Sequence, residues 1–161
     1  MRPNGVLQPV QVLEGEPIEI LVVEDNPGDV RLTLEGLRDA RILNHAHVVA
    51  DGEEALAYLR QEGQYADAPP PSIVFLDLNL PRMSGHDVLR AMKEDDALKR
   101  IPVVVISCSD RREDVDRAYD EQVSFYIVKP YNLDRYFAAI RSIKELCFHV
   151  VTLPTVKDHL Q

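Results

Sequence analysis

Short runs rich in β-branched and other apolar residues recur along the chain at 18–23, 45–50, 72–76, 102–106 and 124–128, and three of them are nearly continuous apolar stretches. Unbroken apolarity suits a strand covered on both faces, as inside a parallel sheet. Between these runs the spacing changes to a helical period over 27–40, 52–61, 84–95 and 110–122, with 132–147 following the last run. Asn26 before Pro27 places a capping side chain ahead of a proline at the first helical position, where the missing N–H costs nothing. Ser84, Asp110 and Asn132 offer comparable caps for the third, fourth and fifth helices. In the last helix Leu133, Phe137, Ile140 and Lys144 share a face with Tyr136 and Ile143 beside it, a stripe that must meet a core or a partner. Each parallel crossover needs a helix. The alternation therefore predicts an α/β fold, a doubly wound five-stranded parallel sheet flanked by five helices.

Length and composition narrow this further. A chain of 161 residues, 45% hydrophobic and 28% charged, can bury one full core and should fold. Residues 1–16, with Pro3, Gly5, Pro9 and Gly15, read as a flexible extension; 17–146 form the domain; 147–161 form an extended C-terminal arm. The stretch CFHVVTLPTV is too apolar for a comfortable solvated end, and Pro154 stops any helix there. A net charge of −9 and a pI of about 5.0 disfavour nucleic acid, whose binders bring a basic face. No apolar run approaches the roughly 20 residues that span a bilayer, and the first residues lack a basic region with an apolar core, so a cytoplasmic location is expected. Cys108 and Cys147 are far apart and fit neither a zinc site nor a disulfide framework; both are expected reduced and semi-buried.

The candidate chemistry lies at strand ends. Glu24 and Asp25 end the first strand and Asp77 the third, where open α/β sheets bind ligands. Three neighbouring carboxylates repel one another unless a cation joins them, and Mg²⁺ commonly uses one or two carboxylates with waters and substrate oxygens. Ser107 ends the fourth strand and Lys129 the fifth. An aspartyl nucleophile, a metal, a lysine and a hydroxyl together make a phosphoryl-handling set.

These residues resemble the receiver domain of bacterial response regulators over roughly 18–146: LVVEDNPGDVRLTLEGL, VVADGEEALAYLR, IVFLDLNLPRMSGHDVL, IPVVVISCSD and FYIVKP fall in family order. The resemblance implies Asp77 as phosphoacceptor and Glu24 with Asp25 as the acidic pair serving Mg²⁺. It implies the backbone carbonyl of Asn79 as a metal ligand, Ser107 as switch hydroxyl, Tyr126 as switch aromatic turning inward, and Lys129 as the phosphate-contacting lysine. Lys129-Pro130 resembles the family's cis peptide. One departure is Asp120-Glu121-Gln122-Val123, where the family usually has a capping glycine. The segments EDNPGDVRLT, EGQYADAPPP and VVTLP are similar to the single-domain regulators paired with phytochrome kinases, implying a phytochrome-type sensor histidine kinase as partner.

The five histidines are expected to be surface or half-buried, outside the site. A dehalogenase-type phosphatase needs a second Asp where this chain has Asn79; a flavodoxin-like carrier needs a phosphate-cradling loop where it has Glu24 and Asp25. A degenerate receiver serving only dimerisation is disfavoured by the complete residue set. The protein is thus expected to signal rather than catalyse, except for its own phosphotransfer and slow autodephosphorylation. The 15 residues from 147 to 161 are too few for an output domain, so the signal is expected to leave through surface contacts. The arm and last helix are expected to form a twofold homodimer, the alternative being an arm folded back on its own domain.

Overall fold

The computed structural model describes residues 17–129 and 132–145. The 1–16 extension, the 147–161 arm with Cys147, and the Lys129-Pro130 peptide lie outside the described residues. Five strands, β1 (Ile18–Val23), β2 (Asn44–Val49), β3 (Ile73–Leu76), β4 (Val103–Ser107) and β5 (Phe125–Val128), alternate with α1 (Pro27–Asp39), α2 (Gly52–Leu59), α3 (Gly85–Glu94), α4 (Arg112–Asp120) and α5 (Leu133–Lys144). A short 3₁₀ turn, Gly63–Tyr65, precedes β3. All pairings are parallel in the order β2-β1-β3-β4-β5, the doubly wound sheet expected.

Alternate residues of the central strands feed two cores. Leu21, Val23, Val74, Leu76, Val103 and Val105 pack with Leu56, Leu59, Val88, Leu89, Met92 and Ala118 from α2, α3 and α4. Ile20, Val22, Ile73, Phe75, Val104 and Ile106 face Leu37 of α1 and Tyr136, Ile140 and Ile143 of α5. The stripe of the last helix is thus used within its own domain. Tyr136 and Thr33 hydroxyls meet at 3.0 Å, and Lys144 is buried with its Nζ donating to the Ala40 carbonyl at 2.7 Å, at the end of α1. Leu133, assigned to the same stripe, instead lies 54% exposed at the first turn.

Asn26, Ser84 and Asn132 cap as expected, accepting from the N–H groups of Asp29, Asp87 and Arg135. Asp110 does not. Arg111 is the N-cap of α4 without a side-chain bond, and Ser109 Oγ takes the Arg111 N–H at 3.3 Å while bonding Asp114. A serine hydroxyl two residues ahead of an N–H can close such a turn, as Asx side chains do more strongly. Asp51, unflagged by the pattern, caps α2 through the Glu54 N–H at 2.8 Å.

The missing glycine after α4 has a structural counterpart. Gln122 takes φ 66°, with its N–H bonded to Tyr119 and that of Val123 to Ala118, a Schellman closure in which a glycine usually occupies the left-handed position. Gln122→Gly removes the Cβ strain and is expected to stabilise the fold by up to about 1 kcal/mol, since a left-handed L-residue costs that order. The check is a higher urea midpoint at unchanged m-value.

Two burial expectations are corrected. Cys108 is exposed rather than semi-buried, because it follows the last buried residue of β4 where the chain leaves the sheet. His86, at the start of α3, is buried with its Nδ1 2.8 Å from Glu121 Oε1; Glu121, the residue that closes α4, comes over it from 35 positions away in sequence.

Candidate functional site

Sheet register assembles the site. Val23 and Leu76 are paired on β1 and β3, so Glu24 and Asp77 emerge side by side where the strand order reverses. The Glu24 N–H bonds the Val49 carbonyl and the Asp77 N–H the Val23 carbonyl, both at 3.0 Å. The Lys129 N–H bonds the Ser107 carbonyl at 2.7 Å, which places the ends of β4 and β5 alongside. Gly85 lets α3 start against this rim: a Cβ there would lie 2.3 Å from the Asp77 carbonyl oxygen.

Glu24 and Asp77 are 6% and 5% exposed; Asp25 is open to solvent. Carboxylate oxygens of the three lie within 4.8 Å of one another, a spacing one divalent cation can bridge, and hard carboxylate oxygens suit such an ion. Asp77 Oδ1 accepts the Asn79 N–H at 3.0 Å, bringing Asn79 to the cluster. Lys129 Nζ donates to Glu24 Oε1 at 2.7 Å, Asp29 Oδ2 at 2.8 Å and Asp77 Oδ2 at 2.9 Å. Burial disfavours the charged ammonium, yet hydrogen bonds to Asp29, Glu24 and Asp77 outweigh it and hold the lysine above its ordinary range.

Burial pushes the Glu24 carboxyl up to about 7, with Asp77 adding to the rise and the Lys129 and Asn26 hydrogen bonds opposing it. A raised carboxyl favours the protonated fold: its contribution to cation-free stability is present below about 4.5 and lost as pH rises through about 7. A divalent cation needs the ionised form. Cation affinity is therefore expected to rise between about pH 5 and 8, with net proton release at the acid end. Calorimetry in buffers of different ionisation enthalpy reads both; a flat pH profile would contradict this assignment.

Ser107 is buried, and its Oγ accepts the Ser109 N–H at 3.2 Å. Tyr126 is half-buried and its hydroxyl donates to the Ser109 carbonyl at 2.8 Å. Ser109 thus ties these two residues together through its backbone. Of the residues singled out in the sequence, Glu24, Asp25 and Asp77 gather with Lys129 and Asn79, while Ser107 stands at the end of the adjoining strand. Asp29 was missed; its signal was its place in the first turn of the helix that starts immediately beyond the acidic pair.

Residues 20–141 match the family described as the response regulator receiver domain. The chain belongs to that family. Among relatives of this receiver domain is the response regulator Rcp1 of Synechocystis sp., 40% identical over 138 residues, covering 86% of this chain and 94% of the relative. The crystal structure of the phosphorylated cyanobacterial phytochrome response regulator RcpA superposes with a TM-score of 0.80 at 44% identity, covering 87% of this chain and all of that one. The Mn²⁺-bound form of Rcp1 gives 0.79 at 40% identity over 86% of this chain and all of that one. The receiver domain is a signalling protein of the two-component type. No helix among its described residues is long and apolar enough to cross a membrane.

Proposed function

We propose that Asp77 accepts a phosphoryl group from the phosphohistidine of a sensor histidine kinase, of phytochrome type, with Mg²⁺ held by Glu24, Asp25, Asp77 and the Asn79 carbonyl. The observation that carries the reading is the buried Asp77 carboxylate between an N–H donor and a lysine ammonium, beside two further carboxylates. The phytochrome partner is supported by likeness to relatives whose names carry that word.

In the transfer, an Asp77 carboxylate oxygen bonds to phosphorus as the P–N bond of the donor breaks, its electron pair returning to the imidazole. Mg²⁺, when bound, neutralises charge on the phosphoryl oxygens. Lys129 supplies a second cation to those oxygens. Ser107 turns its hydroxyl to the new phosphoryl group and releases the Ser109 N–H; Tyr126, bonded to the same residue, then moves inward. This two-state change alters surface contacts and hence partner choice. Slow hydrolysis of the acyl phosphate resets it.

Incubation with acetyl phosphate and Mg²⁺ followed by intact-mass spectrometry tests this, with the gain of one phosphoryl group expected and its loss when chelator is added. Transfer from a phytochrome-type kinase, and not from an unrelated histidine kinase, tests the partner. Exposed Leu133 and Val128, flanking the start of α5, support a homodimer through this helix and the C-terminal arm. Ultracentrifugation of a chain truncated after residue 146 should show monomers; an unchanged dimer would count against the arm. A cytoplasmic location goes with this reading.

A further inference from the structure

An ammonium has three N–H donors and no acceptor, and all three bonds of Lys129 go to carboxylates. A phosphoryl oxygen can gain this lysine only if one bond is given up. Glu24 and Asp77 belong to the carboxylate cluster that fits a cation; Asp29 does not. Asp29 stands in the first turn of α1, its side chain 34% exposed, and the bond from Lys129 reaches it across 100 residues of sequence.

We propose that Asp29 is a positioning residue that parks Lys129 in the unphosphorylated protein and is exchanged for a phosphoryl oxygen, so that it sets how firmly a phosphoryl group is retained. The inference rests on the phosphoacceptor reading of Asp77. Its consequences for cation and phosphoryl binding have opposite signs. With Asp29 neutral, the ammonium falls wholly to Glu24 and Asp77, the oxygens a cation must recruit, so cation binding alone weakens. The same change removes a competitor for the ammonium and a negative charge beside an anionic phosphoryl group, so the phosphorylated form is favoured. A merely structural role, such as complementing the dipole of α1, would move neither in opposite directions.

The test uses the full chain and the Asp29→Asn variant, with calorimetric titration of Mg²⁺ alone and then of beryllofluoride, a phosphoryl mimic, at saturating Mg²⁺. Mg²⁺ binding is expected to weaken about two- to fivefold and beryllofluoride binding to tighten about three- to tenfold, the range for one partly solvated charged contact. Asp29→Ala, which cannot accept a hydrogen bond, should move both further the same way. In the metal-free protein, ¹⁵N spectra of the Lys129 ammonium should show faster proton exchange with solvent in both variants. Unchanged affinities, or both weakening together, would overturn the proposal. If the unaltered protein itself takes no beryllofluoride, the phosphoacceptor reading fails and this inference falls with it; normal uptake by wild type with an indifferent variant refutes the Asp29 role alone.

Discussion

Asp77→Asn is expected to abolish phosphoryl uptake altogether and to weaken divalent-cation binding by about tenfold or more, since loss of even an outer-shell partner of a metal ligand costs about that much. A carboxamide is uncharged and offers no carboxylate oxygen to form the mixed anhydride. Its oxygen can still accept the Asn79 N–H that Asp77 Oδ1 takes at 3.0 Å, so the turn after β3 should keep its shape. The variant therefore separates chemistry from folding. Residual uptake of a full phosphoryl equivalent would place the nucleophile elsewhere, and intact mass with calorimetry reads both quantities.

Lys129→Ala should lower the stability of the metal-free protein by about 3 kcal/mol, the cost of removing one partner from a buried ion cluster. The side chain is 11% exposed and is the cation that Glu24 and Asp77 share. Without it the two buried carboxylates repel, and Glu24, already pushed up to about 7, should take up a proton more readily. The same loss makes the cluster a stronger cation site, because a divalent ion no longer displaces an ammonium. Saturating Mg²⁺ should then recover much of the lost stability by mass action. Thermal melts with and without Mg²⁺ decide the matter: a variant as stable as wild type without metal, or one whose Mg²⁺ affinity falls, would contradict the electrostatic account.

Much of this architecture was legible because its signals are local. Nearly continuous apolarity in β1, β3 and β4, interrupted in β1 by Glu19, reflects strands covered on both faces, and Asn26-Pro27 sets a capping side chain before a proline at the first helical position. Strand ends fell within a residue or two, the ordinary fraying of such boundaries. The acidic pair, Asp77, Ser107 and Lys129 could be found because each sits at a strand's carboxyl end, a position the alternation itself defines. What escaped depends on contacts between distant segments. Asp29 reads as a first-turn acid until Lys129 is brought over it, and His86 reads as a surface histidine until Glu121 closes on it. The Asp110 cap failed for a different reason. Ser109 and Asp110 are both competent, and the geometry leaving β4 favours the serine.

The proposed chemistry turns on one carboxylate, Asp77, as the carrier of the phosphoryl group. Borohydride reduces an acyl phosphate to the alcohol, converting a phosphorylated aspartate to homoserine, and tandem mass spectrometry of the digested protein then locates the change. After treatment with acetyl phosphate and Mg²⁺, homoserine is expected at position 77 alone. Homoserine at position 25, at position 29 or at no position in a protein that has gained a phosphoryl group would contradict it.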